Sequence, residues 1–383
     1  MWKRFEKLDI HIPDSRNTQF DKTDVLRMVL KMSQSKKKFS RSAAKRLKAE
    51  AFRQEQGGGK KWRAASSDWG MGRLAEMDPE HTKRWCDNTV RFMARGALAS
   101  DMIRRNTMVG IDLTLVPYYG RHLRDDMLKS KPLKGTKYFD AHMTTHSIGP
   151  GYEIPLSDTR MTRDDKVDII LHESLKKIQR AGLRPQLYLA DRGFFSVACM
   201  RVLGNTGRDF LMPAVKNARV KAAIEKYHRG EIGAASRFTM KSAEFGTASF
   251  NLLIVKKDGC KASDPVAEQY VAFATSLPCR TKEDLVGTIP ETYRGRWIIE
   301  TAFRVIKDVK GKTCSRSLHV RIFLFHFALL LYFLWKCTKH TDMLQGFLAG
   351  GDDFTIAEFL DSVSSLTKAI LLWEKNHGNF VEQ

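Results

Sequence analysis

The sequence has no Cys-x-x-Cys pair and no short cysteine–histidine cluster; its six cysteines, Cys86, Cys199, Cys260, Cys279, Cys314 and Cys337, are scattered. That excludes the usual spacing of a structural zinc site and gives no sign of a disulfide framework, so a reducing, cytoplasmic setting is expected. A secretory leader is not expected either, because Met1 to Ile10 is charged and is followed by polar sequence where an apolar segment would be needed. Long apolar runs are scarce. The exception, Ile322 to Trp335, is shorter than the ~20 residues that span a bilayer and is interrupted by His326. It reads as a buried core helix, and no membrane partner is expected. Internal repeats and low-complexity tracts are absent from the sequence.

What the chain has in excess is positive charge: 65 Lys and Arg against 43 Asp and Glu, a formal +22. Such an excess points to a polyanionic partner, nucleic acid first, because each neutralised phosphate releases condensed counterions. A solubility device is the other reading of the same number. With 383 residues, 43% of them hydrophobic, the chain is long enough for two or three domains and apolar enough to fold.

The first hundred residues read as helical and basic, with helices expected at about 22–33, 40–55 and 80–104. Lys36, Lys37, Lys38, Arg41, Lys45, Arg46 and Lys48 crowd a few turns, and Gly57-Gly58-Gly59 before Lys60-Lys61 reads as a flexible break. A DNA-binding region and a solvated charged face both fit. From Thr107 the pattern changes: Thr107 to Leu115, Phe139 to Ser147 and Tyr152 to Leu156 read as strands, then Arg163 to Ala181 as a helix stopped by Gly182. Gln186 to Ala190 reads as a strand, Phe194 to Leu203 as a helix and Phe210 to Val215 as a strand. This order is that of a ribonuclease-H-like domain, with a generic α/β sheet as the alternative.

The expected organisation is therefore mixed α/β, in five segments. These are a helical basic DNA-binding region at 1–105, the first part of a ribonuclease-H-like core at 106–214, a β-rich insertion at 215–290, a core helix pair at 291–340, and a helical region at 341–383. The last segment would supply an oligomer contact or close the core.

The densest constellation is Tyr293 to Lys307. Treated as one helix, it places Tyr293, Arg296, Glu300, Arg304 and Lys307 within about 80° of one another. Ile298, Ile299, Ala302, Phe303, Val305 and Ile306 fall on the opposite arc. A carboxylate among cations on a core-packed helix suits a metal and a phosphate chain; it also suits an ordinary i, i+4 salt-bridge face. Asp112, after the apolar Val109-Gly110-Ile111, and Asp191, after Leu187-Tyr188-Leu189-Ala190, are expected to close strands at a sheet edge where Glu300 could meet them. Carboxylates gathered at one point repel unless a cation compensates, and two Mg2+ ions would do so while activating an oxygen for in-line displacement. Asp140 with His142 and His146, and His172 with Glu173, read as ordinary packing.

Tyr293, Arg296, Glu300 and Lys307 match the spacing Y-(2)-R-(3)-E-(6)-K, which resembles the YREK signature of the fourth insertion-sequence family of DDE transposases. Asp191-Arg192-Gly193-Phe194-Phe195-Ser196 is similar to that family's second-aspartate motif, with Phe195 where tyrosine is usual, and Asp112 stands where the first aspartate belongs. The resemblance implies a prokaryotic insertion-sequence enzyme with Asp112, Asp191 and Glu300 as catalytic metal ligands, and two Mg2+ ions for which Mn2+ can substitute. It further implies DNA contacts from Tyr293, Arg296 and Lys307, to which Arg192 and Arg304 are added by position. The implied partners are terminal inverted repeats and target DNA, with the chain a homodimer on the two ends. The implied reaction is cut-and-paste transposition: endonucleolytic hydrolysis at the ends, then 3′-OH strand transfer. A catalytically inactive DNA-binding derivative and a structure-selective nuclease are the alternatives.

Overall fold

The computed structural model describes residues 11–13, 20–56, 63–120, 124–133, 135–149, 153–278, 287–340 and 354–362. The glycine break at 57–59 with Lys60 and Lys61, Cys279, and the C-terminal positions Val363, Leu366, Ile370 and Leu371 lie outside these residues. The chain forms two compact units, one comprising Ile103–Pro117 and Asp126–Glu300, the other Met1–Met102, Tyr118–Asp125 and Thr301–Gln383. The fold is mixed α/β.

The first unit is built on one nine-stranded sheet. Strands β1 (Met108–Pro117), β2 (Leu128–Leu133), β3 (Thr136–Ile148) and β4 (Pro155–Met161) are followed by helix α5 (Val167–Arg180) and strand β5 (Leu187–Ala190). A 3-10 turn, Arg192–Phe194, leads to α6 (Val197–Gly204) and β6 (Asp209–Pro213). Strands β4, β3 and β1 pair antiparallel, and β1, β5 and β6 pair parallel. That is the strand order and direction of a ribonuclease-H-like sheet. Helix α5 ends as the sequence indicates, with Gly182 in the left-handed region at φ 97°.

Beyond β6 the segment expected to be a β-rich insertion extends this same sheet. After α7 (Ala218–His228) come β7 (Ala235–Ser242), β8 (Gly246–Lys256), the short α8 (Val266–Gln269) and β9 (Tyr270–Thr275). Strand β9 pairs with β6, then β8 with β9 and β7 with β8, all antiparallel. The β6–β9 pairing covers what would be an open edge, because Leu211, Met212 and Pro213 meet Thr275, Ala274 and Phe273.

The second unit is helical. It contains α1 (Lys22–Gln34), α2 (Ser40–Gln56), α3 (Ser67–Ala75) and α4 (Pro79–Ala99). With them are the later part of α10 (Trp297–Val309), α11 (Leu318–His340) and α12 (Ile356–Ser362). Helix α3 is not apparent in the sequence because Gly70 and Gly72 lower its propensity. At Gly70 the end of the Met28 side chain on α1 occupies the space a Cβ would take, so a larger residue there would require that flexible side chain to shift. Helix α4 stops at Ala99, five residues short of the expected end, with the N–H of Ser100 bonded to the carbonyl of Gly96.

The apolar run becomes the core of this unit. Helix α11 is long and apolar enough to cross a membrane by length and composition, yet Val320, Phe323 to Trp335 and Cys337 are all buried. Trp85 and Phe92 of α4 pack on Phe323 and Phe333, with ring centroids 5.1 and 6.3 Å apart. A helix apolar on every face must be surrounded, and here protein does it. The structure thus groups α11 and the later part of α10 with the N-terminal helices, whereas the sequence reading places 291–340 with the ribonuclease-H-like core.

Candidate active site

Asp112 lies in the middle of β1 and not at its end. Leu113 to Pro117 continue to pair with β3, so the strand runs five residues past the aspartate. What ends at this point is the parallel ladder to β5, in which Val109, Gly110 and Ile111 pair with Tyr188, Leu189 and Ala190. Asp112 and Asp191 are each the next residue. They therefore stand side by side where two parallel strands part, the carboxyl-end crevice in which α/β sheets place ligands.

The helix carrying Glu300 is broken, a departure from the single helix that the spacing suggests. Helix α9 (Ile289–Arg294) ends at Gly295, and α10 begins at Trp297. Across the break the N–H groups of Arg296, Ile298 and Ile299 bond to the carbonyls of Tyr293, Gly295 and Arg296, a tightened i→i+3 pattern. Tyr293 and Arg296 stay together nonetheless, the guanidinium 5.8 Å from the ring centroid. Tyr293 also packs on Phe273, centroids 5.3 Å apart. Ile299, Ala302, Phe303, Ile306 and Val309 are buried along α10, while Ile298 and Val305 are half-buried flanks. The core face is narrower than expected but correctly placed.

Three acidic side chains from three elements meet at one guanidinium. Arg296 Nη1 is 3.4 Å from Asp112 Oδ1, and its Nη2 is 2.9 Å from Glu300 Oε1 and 4.0 Å from Asp191 Oδ1. Arg296 is 9% exposed, whereas the Asp191 and Glu300 side chains are half-exposed. Burial pushes the Asp112 carboxyl above its usual value; Arg296 opposes this, and Asp191 and Glu300 add to it. For Arg296, burial works against the charge but Tyr293, Asp112 and Asp191 outweigh it, so the guanidinium is held above its ordinary value. Burial also raises the Tyr293 hydroxyl, against the pull of Arg296. Arg296 Nε has no hydrogen-bond partner among the described residues.

The structure thus brings Asp112, Asp191, Glu300, Arg296 and Tyr293 together. Arg192 is exposed on the turn directly after Asp191. Arg304 and Lys307 are exposed on the part of α10 that belongs to the helical unit, Lys307 Nζ lying 5.9 Å from the Phe303 ring. Among the described residues no group of three His, Cys, Asp or Glu is set to hold a metal ion, and at this centre Arg296 stands between the acids. His142 and His146 are core residues, His142 Nδ1 lying 3.1 Å from Asp158 Oδ2 with both side chains buried. Of the aromatic residues on the sheet extension, Phe250 is fully buried and Phe238 is covered by Arg219, 5.0 Å from its ring.

Sequence reasoning missed a cationic cleft in the helical unit, a cavity of about 640 Å3. Lys37, Arg41, Lys45 and Lys312 line it with Ser40, Ser42, Thr313, Ser315 and the half-exposed Phe39, and among the described residues no acidic side chain does. Backbone pairing of Phe39 with Lys312 brings its two walls together, the Lys312 N–H donating to the Lys38 carbonyl at 2.7 Å. Burial lowers the Lys38 pKa; Asp308 opposes this, while Lys312 and Arg46 lower it further, a sign of crowded positive charge. The lysine run at 36–38 signals one wall, but nothing local links it to residue 312.

The acids thus stand at the parting of the parallel strands of a ribonuclease-H-like sheet. Residues 167–334 match the family model described as a transposase DDE domain, a span that includes Asp191 and Glu300 and leaves out Asp112. A search of curated proteins returned no match. Among solved structures, the chain is similar to the piggyBac transposase in a cryo-EM synaptic complex with hairpin DNA. The TM-score is 0.55 at 10% identity, covering 100% of this chain and 77% of that one. That likeness is one of fold.

Proposed function

We propose that this protein is a DDE transposase of the YREK group that moves a DNA segment by a cut-and-paste route. The observation that carries the reading is the meeting of Asp112, Asp191 and Glu300 at one point, in a chain whose residues 167–334 match a transposase DDE domain. The reading is supported by the donor chemistry, not by a ready-made cage: Arg296 stands among the three carboxylates, but all their ligand atoms are oxygen, which hard divalent cations take. Asp112, Asp191 and Glu300 would hold Mg2+, or Mn2+ in its place. When bound, two such ions supply activation of an attacking oxygen and stabilisation of the leaving 3′ oxygen.

The chain's own residues bind and orient the DNA. Tyr293 and Arg296 at the carboxylates, Arg192 beside Asp191, and Arg304 and Lys307 along α10 are proposed to grip backbone phosphates. The cleft of Lys37, Arg41, Lys45 and Lys312 adds further backbone contacts. The proposed partners are the terminal inverted repeats and target DNA, with a homodimer joining two ends. The decisive experiment is cleavage of DNA carrying the inverted repeats that flank the coding sequence. Glu300→Gln is expected to abolish nicking and strand transfer in Mg2+ while keeping DNA binding; nicking at the parental rate would end the reading. Nicking without any joining of 3′ ends would mark a nuclease instead.

A further inference from the structure

Arg296 fills the space among three carboxylates that are proposed to bind cations, and a charge balance shows the consequence. The guanidinium cannot lose its proton, so it offsets one of three negative charges, donating to Asp112 and Glu300 and lying within ion-pair distance of Asp191. A divalent cation placed beside it would be repelled, while the two remaining negative charges would attract it. Full use of the carboxylates therefore requires Arg296 to withdraw. A buried guanidinium withdraws only toward another anion. The open side of the site is that of the half-exposed Asp191 and Glu300, where a phosphate would arrive, and a phosphate is the anion whose geometry matches the fork of Arg.

We propose that Arg296 couples DNA binding to metal loading: it serves as the internal counter-ion of Asp112, Asp191 and Glu300 until a DNA phosphate draws it away and frees them. The inference rests on the reading of these three residues as metal ligands. Without DNA the carboxylates are held together and kept from repelling one another; with DNA they become available. Coupling of this kind is reciprocal, so divalent metal also strengthens the grip on DNA.

The test is Mn2+ binding to the full chain, followed by electron paramagnetic resonance of free Mn2+, with and without a short end-bearing duplex, after subtraction of Mn2+ bound by the duplex alone. In the parent, DNA is expected to tighten Mn2+ binding on the order of 10-fold, within the range of ordinary coupling. Arg296→Gln is expected to bind Mn2+ about 10-fold tighter than the parent without DNA and to gain nothing further from DNA. Arg296→Lys, which keeps the charge without the fork, should fall between, and circular dichroism checks that both variants are folded. Weaker Mn2+ binding by Arg296→Gln without DNA, or coupling that survives the substitution, overturns the proposal. Asp112→Asn and Glu300→Gln separate the two levels. If both bind Mn2+ like the parent, the metal-ligand reading itself fails; if both lose it while Arg296→Gln matches the parent, only the coupling fails.

Discussion

At the scale of single residues, Arg296 has a structural role distinct from any contact with DNA. Replacing it with alanine leaves Asp112 buried and facing Asp191 and Glu300 without compensation. A fully buried pair would lose ~3–5 kcal/mol on such truncation, but two of these acids are half-exposed and screened, so a loss of about 1–3 kcal/mol is expected. Urea titration measures it, and millimolar Mg2+ should restore part of the loss if the carboxylates hold metal. His146 offers a second prediction. Fully buried on β3, its pKa is lowered to about 3 by loss of solvation, with Asp158 opposing. The unfolded chain takes up a proton near the ordinary value of about 6.5, so the contribution of neutral His146 is complete above that pH and is lost as pH falls toward 3. The slope is at most ~1.4 kcal/mol per pH unit. Between pH 7 and 5 stability should fall by about 1–2 kcal/mol from this group. His146→Gln should flatten that part of the profile, and an unchanged slope would refute the assignment.

At the scale of elements, the site depends on how closely α10 lies on β1. Gly110, two residues before Asp112, leaves the space that Ile299 and Ile148 fill; a Cβ there would meet the terminal methyls of both. Gly110→Ala is expected to cost ~1–3 kcal/mol by overpacking and to lower cleavage by moving Glu300 away from Asp112. Ile299→Ala in the same chain makes room for the new methyl and should recover part of the activity. Failure of that pair to compensate would mean Gly110 acts otherwise than through α10. The break at Gly295 belongs to the same scale. It turns Arg296 inward to 9% exposure, whereas the polar stripe of an unbroken helix would have placed it outward.

For the whole molecule, the formal charge of +22 becomes specific only where cations cluster without acids. The cleft at Lys37, Arg41, Lys45 and Lys312 is such a place. Lys37→Glu with Lys45→Glu should weaken DNA binding uniformly across sequences. The slope of log affinity against log salt should become shallower by about one for each phosphate that is no longer neutralised. Fluorescence anisotropy at several salt concentrations reads both, and an unchanged slope would remove the cleft from the DNA-binding surface. The cleft unites Phe39 and Lys312, far apart in the chain, as α11 packs on Trp85 and Phe92 of α4.

Whatever depends on near neighbours is legible in the sequence. The apolar spacing of Val167 to Arg180 and the capping position of Gly182 are of this kind, since period and turn chemistry act over a few residues. Glu300, Arg296 and Tyr293 are marked out by spacing, and Asp191 by the residues that follow it. Other features exist only in the assembled fold. That Asp112 sits mid-strand, beside Asp191 at the parting of β1 and β5, follows from a ladder register that no local pattern encodes. That β7, β8 and β9 extend the main sheet follows from β9 closing on β6. The resemblance implies that Arg296 binds DNA; its place among three carboxylates needs β1, β5 and α10 to converge, and convergence is a property of packing, not of sequence distance.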